Sequence, residues 1–255
     1  MGNPINNEKG TSVFAAGLRA TFGPKRVWHE LTTLNWRDYT ILAAMFVIEI
    51  GIWAFVGKDF SVWGFITLVN ALATYLNLIL VNRGRITNYL WGVINTAAWI
   101  ILSFHSMYVG DALSQAYYMI MQFVGIYLWQ KNLSTRGDSE EVTPLKITWR
   151  MVAIAAVLFV VVYMATVGIS QFFHGQQIHI DGLLLPLGIV GMLLMTYGYR
   201  SQWAIWTIID AINVYLWILK VHVDGGYAVS MLTLQIVMLL NCFYGTYLWF
   251  KKTAD

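Results

Sequence analysis

Eight apolar stretches dominate this chain, each long enough to cross about 30 Å of hydrocarbon as an α-helix. They run near Tyr39–Val56, Val62–Val81, Ile86–Phe104, Ala112–Trp129, Ile147–Ile169, Leu183–Tyr199, Trp203–Leu219 and Tyr227–Phe250. Helices are the only open-ended structures that satisfy every backbone group in lipid, so the pattern predicts an all-α integral membrane protein with eight transmembrane helices. Composition agrees, with 11% charged residues against roughly 25% in soluble domains. The 12 Trp and 14 Tyr suit the bilayer edges where both residue types concentrate. The gaps carry turn signals: Gly57-Lys58-Asp59, Arg83-Gly84-Arg85, Gly110-Asp111, Gly137-Asp138, His174-Gly175, Arg200-Ser201 and Asp224-Gly225-Gly226. The single Cys242 lies in an apolar run and offers no disulfide framework.

Fourteen of the 16 Lys and Arg fall on alternate connections, leaving Lys58 and Lys220 on the other side. The positive-inside rule then places both termini in the cytoplasm. Residues 1–38 do not read as a cleaved signal, and Val13 to Trp36 reads either as an interfacial helix or as a loosely ordered lead. His105, His174, His179 and His222 fall on the expected outer side beside Asp111, Asp181 and Asp224. A metal or proton-sensing site is one reading of them. Loop-end residues that meet water and headgroups are the plainer one.

Internal similarity organises the spans. Gly125-Ile126-Tyr127-Leu128-Trp129 recurs as Gly245-Thr246-Tyr247-Leu248-Trp249, and at the same offset Gln115 falls on Gln235. Thr74-Tyr75 is matched with Thr196-Tyr197, and the pair Trp91 and Asn95 with Trp206 and Asp210. The expected organisation is a cytoplasmic or interfacial segment (1–38), an extra helix (39–57), a first three-helix repeat (60–131), a cytoplasmic loop with a connector helix (132–170) and a second repeat (181–252). Three helices and one connector between copies make this a 3+1+3 parallel-repeat core, a plan able to give alternating access to a site between the repeats.

Polar residues stack on helical faces inside these spans: Asn70, Thr74 and Asn77; Asn88, Trp91, Asn95 and Trp99; Gln115, Tyr118, Gln122 and Gly125; Trp203, Trp206, Asp210, Asn213 and Trp217; Gln235, Cys242 and Gly245, with Asn241 beside them. An amide in hydrocarbon costs several kcal/mol unless paired. Each Asn or Gln is therefore either packing glue between helices or part of a polar lining. Their concentration in the two repeats, with few polar residues in the connector, favours a lining for a neutral or singly charged ligand with a ring face. Asp210, near mid-span, is open to three functional readings (protonated, proton-relaying, or paired with a cationic ligand) and one plain one, a neutral acid bonded to a neighbouring Asn. Glu49, on the extra helix, is expected to be structural or at an interface between protomers. No mid-span Lys, no phosphate-binding loop and no intramembrane metal cluster is present, which argues against a retinal Schiff base, ATP-driven transport and metal-dependent membrane enzymes. Neither enzyme activity, a cofactor nor a nucleic-acid partner is expected.

Ile86-Thr87-Asn88-Tyr89-Leu90-Trp91-Gly92-Val93-Ile94-Asn95 and Gly125 to Trp129, with Trp203 to Asp210 and Gly245 to Trp249, resemble the PnuC-type nicotinamide riboside transporters of bacteria over about Phe60 to Lys252. The resemblance implies a core related in plan to the SWEET sugar transporters. It also implies an inner-membrane location, facilitated diffusion, and uptake maintained by a cytoplasmic riboside kinase. Two departures stand out: Asp210 lies where family members often have Asn, and some members lack the extra first helix. The substrate-binding set expected is Asn70, Asn77, Trp91, Asn95, Gln115, Tyr118, Gln122, Trp206, Asp210, Asn213, Gln235 and Asn241. Trp and Tyr faces suit the pyridinium cation, and amides suit the carboxamide and ribose hydroxyls. A homo-oligomer is compatible with the sequence. Transport of thiamine, another vitamin or a sugar, and a membrane scaffold or receptor, remain the alternatives.

Overall fold

A computed structural model describes residues 4–105, 109–135, 140–172 and 178–252, with side chains for all of these except 4–11, 109–113, 170, 178–181 and 223–227. The expected turns Gly137-Asp138 and His174-Gly175 lie outside the described residues. So do the side chains of Gly110-Asp111, His179, Asp181 and Asp224-Gly225-Gly226. The chain divides into two units, Met1–Thr143 and Pro144–Asp255.

The first unit holds α1 (Pro4–Phe22), α2 (Pro24–Thr32), α3 (Trp36–Gly51), α4 (Val62–Arg83), α5 (Asn88–His105) and α6 (Val109–Ser134). The lead is thus helical. Pro24, free of an N–H to satisfy, opens α2, and a Cβ on Gly23 would strike the Arg19 carbonyl, so glycine permits the break between α1 and α2. α1 packs on α5 and α6, with Gly17 set so close that a Cβ would lie 2.9 Å from Ile126 Cγ2. α3 runs on into a π-helical turn, Ile52–Gly57, which ends at Lys58 with φ 51° where the sequence signals a break. It packs on α4, where Tyr75 O–H donates to the buried Glu49 carboxylate at 2.8 Å. Glu49 therefore binds the extra helix to its neighbour, the structural role expected for it.

The second unit holds α7 (Trp149–Phe172), α8 (Ile178–Thr196) and α9 (Gln202–Lys252). α7 and α8 meet through Ala155, Val190 and Leu194, while Val157, Val160, Val161 and Met164 of α7 stay exposed, as a lipid-facing surface does. A straight helix with α9's 51 residues would extend for roughly 77 Å at 1.5 Å per residue. Yet the rings of Trp203 and Trp249 stand 6.1 Å apart, and Cys242 Sγ lies 3.1 Å from Asp210 Oδ2. The chain therefore doubles back between Asp210 and Cys242 and supplies two spans.

Among the described residues, five segments are long and apolar enough to cross a membrane: Trp36–Gly57, Val62–Arg83, Trp149–Ile169, Gln202–His222 and Ala228–Lys252. α8 offers a shorter apolar run, Gly182–Thr196. α5 and α6 have the length, at 18 and 26 residues, but carry Asn88, Asn95, Gln115 and Gln122. Amides also occur within the spans themselves, at Asn70 and Asn77 of Val62–Arg83, Asn213 of Gln202–His222, and Gln235 and Asn241 of Ala228–Lys252. No strand occurs among the described residues apart from an isolated Leu145–Tyr199 bridge.

Both units close a helix with the same turn. Gly84 and Gly198 each take φ 74°, a left-handed conformation that glycine adopts without steric cost. Gly84 N donates to Val81 O and Arg85 N to Leu80 O; Gly198 N donates to Met195 O and Tyr199 N to Leu194 O, all at 2.9 Å. Val142 N donates to Gly84 O and Leu145 N to Gly198 O, each at 2.8 Å. This equivalence revises one pairing made on sequence. Tyr75 is wholly buried within α4, whereas Tyr197 lies beyond the end of α8 and is 44% exposed, so Thr74-Tyr75 and Thr196-Tyr197 are not counterparts.

Candidate functional site

In the first unit α4, α5 and α6 bring the expected polar residues into two groups. Asn95 Nδ2 donates to Asn70 Oδ1 at 2.7 Å and to Thr74 Oγ1 at 2.5 Å. Asn77 Nδ2 donates to the Asn88 carbonyl at 2.8 Å. These bonds tie α4 to α5, so for Asn70, Asn77 and the Asn95 amide nitrogen the packing role is the one realised. The second group lies where α5 meets α6. Gly92 sits against the Gln122 side chain, close enough that a Cβ would fall 2.5 Å from Gln122 Oε1, and Gly125 lets the Tyr89 ring pack against α6. The Tyr89 and Trp129 rings meet edge-on at 5.1 Å. Gln122 is 6% exposed, and its Oε1 has no hydrogen-bond partner among the described residues; the same is true of the shielded indole N–H of Trp91. Buried polar groups in native proteins are nearly always satisfied, so these two are available to a ligand or water. Tyr118 and Gln115, one and two turns earlier on α6, are half-buried on the Gln122 side of the helix.

The second unit arranges its polar residues on the two arms of α9. Asp210 is buried and accepts from the Cys242 thiol rather than from an asparagine, the partner that the plain reading expected. Trp206 packs near Gly191 of α8. Gln235 and Asn241 are buried, and Gln235 Oε1 has no partner among the described residues; Asn213 is half-buried. A shallow groove of about 390 Å³ on α4 and α5, lined by Val62, Phe65, Ile66, Val69, Ala98 and Ile101, is apolar and cannot satisfy a polar solute.

Sequence reasoning passed over an ionic network at one end of the first unit. Arg83 pairs with the buried Asp38 at 2.7 Å, and Arg85 with Glu140 at 2.7 Å and Glu141 at 3.2 Å. His29 Nε2 lies 2.8 Å from Glu140 Oε1. Hydrogen bonding to His29, then to Arg85, holds the Glu140 carboxyl below its ordinary range. Glu30, fully buried, pairs with Arg26 at 2.6 Å and accepts from Thr87. The Arg26–Glu30 spacing of four was the one local signal; the other partners are 45 to 111 residues apart. Among the described residues no three His, Cys, Asp or Glu converge as metal ligands, and His105 stacks on Trp63 at 3.5 Å.

Long apolar helices, lipid-facing surfaces and spans that carry buried amides define a multi-pass helical membrane protein. The family model described as nicotinamide mononucleotide transporter matches residues 64–251. The chain belongs to that family, and it is of the PnuC type. It is 29% identical to the nicotinamide riboside transporter PnuC of Neisseria mucosa over 72% of this chain and 71% of the relative. It is 26% identical to PnuC of Haemophilus influenzae, over 85% and 92%, and 26% identical to that of Escherichia coli, over 78% and 89%. A crystal structure of the vitamin B3 transporter PnuC superposes with a TM-score of 0.73 at 24% identity, covering 89% of this chain and 97% of that one, and so shares its fold.

Proposed function

We propose that this protein carries nicotinamide riboside across the bacterial inner membrane by facilitated diffusion. In this reading it has eight crossings, both termini are cytoplasmic, and the 3+1+3 repeats alternate access. Uptake is maintained by a cytoplasmic kinase that phosphorylates the riboside. The observation that carries the reading is the pair of shielded, unsatisfied groups, Gln122 Oε1 and Trp91 Nε1, on the helices that bear the family motifs. An amide oxygen can accept from a carboxamide N–H or ribose O–H, an indole N–H can donate to a ribose oxygen, and neighbouring rings can face the pyridinium. Gln115, Tyr118, Trp206, Asp210, Asn213, Gln235 and Asn241 complete the proposed lining, to which Asn70, Asn77 and Asn95 contribute mainly by fixing α5.

The family description names a mononucleotide and the relatives' names a riboside, and one feature favours the riboside. The cations nearest the end of α4, Arg83 and Arg85, are engaged by Asp38, Glu140 and Glu141 rather than directed to an incoming phosphate. The test is uptake by proteoliposomes of the purified chain, offered labelled riboside or labelled mononucleotide with no ion gradient. Saturable entry of the riboside alone is expected; uptake of the mononucleotide, or none of either, contradicts the reading.

A further inference from the structure

Glu30 stands in the lead ahead of residue 64, where the family match begins. We propose that it is a positioning residue for transport, setting α5 and with it Trp91 and Asn95; this rests on the function proposed above. Its carboxylate is fully buried and both oxygens are engaged. Oε1 accepts from Arg26 Nε at 2.6 Å, and Oε2 from Thr87 N at 3.1 Å and Thr87 Oγ1 at 2.6 Å. Thr87 immediately precedes α5, so the negative charge sits at that helix's N-terminus, where free N–H groups and the helix dipole favour it. A buried carboxylate is tolerated only while fully partnered, which makes the contact a strut of fixed length between α2 and α5.

Trp91 and Asn95 lie four and eight residues beyond Thr87, on the same helical face. A slip or rotation of the first turn therefore reaches both. The neighbouring His29 binds Glu140, which binds Arg85 in the turn before α5, so α2 grips this turn at two points. α2 is in turn held by α1, whose Gly17 lies against Ile126 of α6. The second unit has the same turn but no such carboxylate: Ser201, the counterpart of Thr87, has its buried Oγ without a partner among the described residues. The strut is a device of the first unit.

The test is the Kd of nicotinamide riboside for the purified full-length protein and its Glu30→Ala, Glu30→Gln, Thr87→Val and Arg26→Ala variants, each first shown to be folded and monodisperse. Glu30→Ala is expected to raise Kd about fivefold, the factor equivalent to the roughly 1 kcal/mol of a lost helix cap. Glu30→Gln keeps an acceptor for Thr87 and should stay within about twofold of wild type. Arg26→Ala strips the buried carboxylate of its ion pair and should lower Tm, but the folded protein keeps the bond to α5, so its Kd should also stay within about twofold. Thr87→Val, which removes only the hydroxyl donor, should raise Kd by about threefold and serves if Glu30→Ala does not fold. A purely structural Glu30 would lower the yield or Tm and leave the Kd of the folded fraction unmoved. Unchanged Kd in the folded Glu30→Ala or Thr87→Val variant, or equal shifts in Arg26→Ala and Glu30→Ala, overturns the inference while the wild type still binds. A wild type that binds no riboside removes the proposed function itself, and the inference with it.

Discussion

At the turn closing α4, the first unit gathers Arg83, Arg85, Asp38, Glu140 and Glu141 into ion pairs. At the matching turn closing α8, the second unit lays the Arg200 guanidinium over the Phe250 ring at 4.3 Å. The two turns share their helix-closing backbone hydrogen bonds, with a glycine at φ 74° in each, and the second adds a bond from Arg200 N to Leu145 O at 3.0 Å. One backbone solution is therefore held in two ways, by charge in the first unit and by aromatic packing in the second. The spans differ in the same sense. The first unit ties α4 to α5 through the Asn70, Thr74 and Asn95 side chains, while the second joins the arms of α9 through one thiol–carboxylate bond and the edge-on Trp203–Trp249 pair.

The largest effect that could break this contrast is at Arg83. Its removal by Arg83→Ala leaves the buried Asp38 carboxylate without its ion pair and should cost about 3–5 kcal/mol, whereas Arg200→Ala should cost no more than about 1 kcal/mol. Thermal unfolding in detergent measures both, and equal losses would erase the distinction. Next comes Gly92→Ala. The added methyl meets the flexible Gln122 side chain rather than backbone and turns its amide aside, so uptake should fall about tenfold, the equivalent of about 1.4 kcal/mol, with little change in Tm. Gln122→Ala and Asn213→Ala should each weaken uptake by about fivefold, the worth of one hydrogen bond near 1 kcal/mol, in protein that still folds; unchanged kinetics in both would remove them from the lining. The smallest effect is pH-dependent. The Glu140 pKa is lowered in the folded state, so its contribution is present above the ordinary carboxylate pKa and is lost as pH falls through the lowered value. Because Glu140 is 48% exposed, screening limits that contribution to a fraction of a kcal/mol. Proteolysis of the 140–143 segment should quicken by no more than about twofold as pH falls below the ordinary carboxylate range, and Glu140→Gln should give the same small increase at neutral pH.

Much of the fold was legible in local pattern. The apolar runs all became helical, and the breaks at Lys58 and Gly84 follow charge and glycine signals, whereas α8 ends at Thr196, with Gly198 closing it inside a run expected to stay helical to Tyr199. The lead from Val13 to Trp36 read equally well as an interfacial helix or as loose chain, and it is helical. What stayed hidden was long-range. Glu30 meets Thr87 across 57 residues and Asp38 meets Arg83 across 45, and nothing in a charge pattern specifies such partners. The match of Thr74-Tyr75 with Thr196-Tyr197 failed because the real counterparts share backbone geometry rather than side chains. Among the expected site residues, helical spacing placed Gln115, Tyr118 and Gln122 on one side of α6, but it could not tell that Asn95 would be drawn into a bond with Asn70.

The central claim is that the shielded Gln122 amide faces a substrate rather than dry protein. A Gln122→Cys variant with Cys242→Ser, treated with a small hydrophilic thiosulfonate, tests it directly. The account predicts that the new thiol is labelled and that nicotinamide riboside, but not thiamine or a sugar, protects it. A thiol that never reacts, or reacts at the same rate with riboside present, would contradict it.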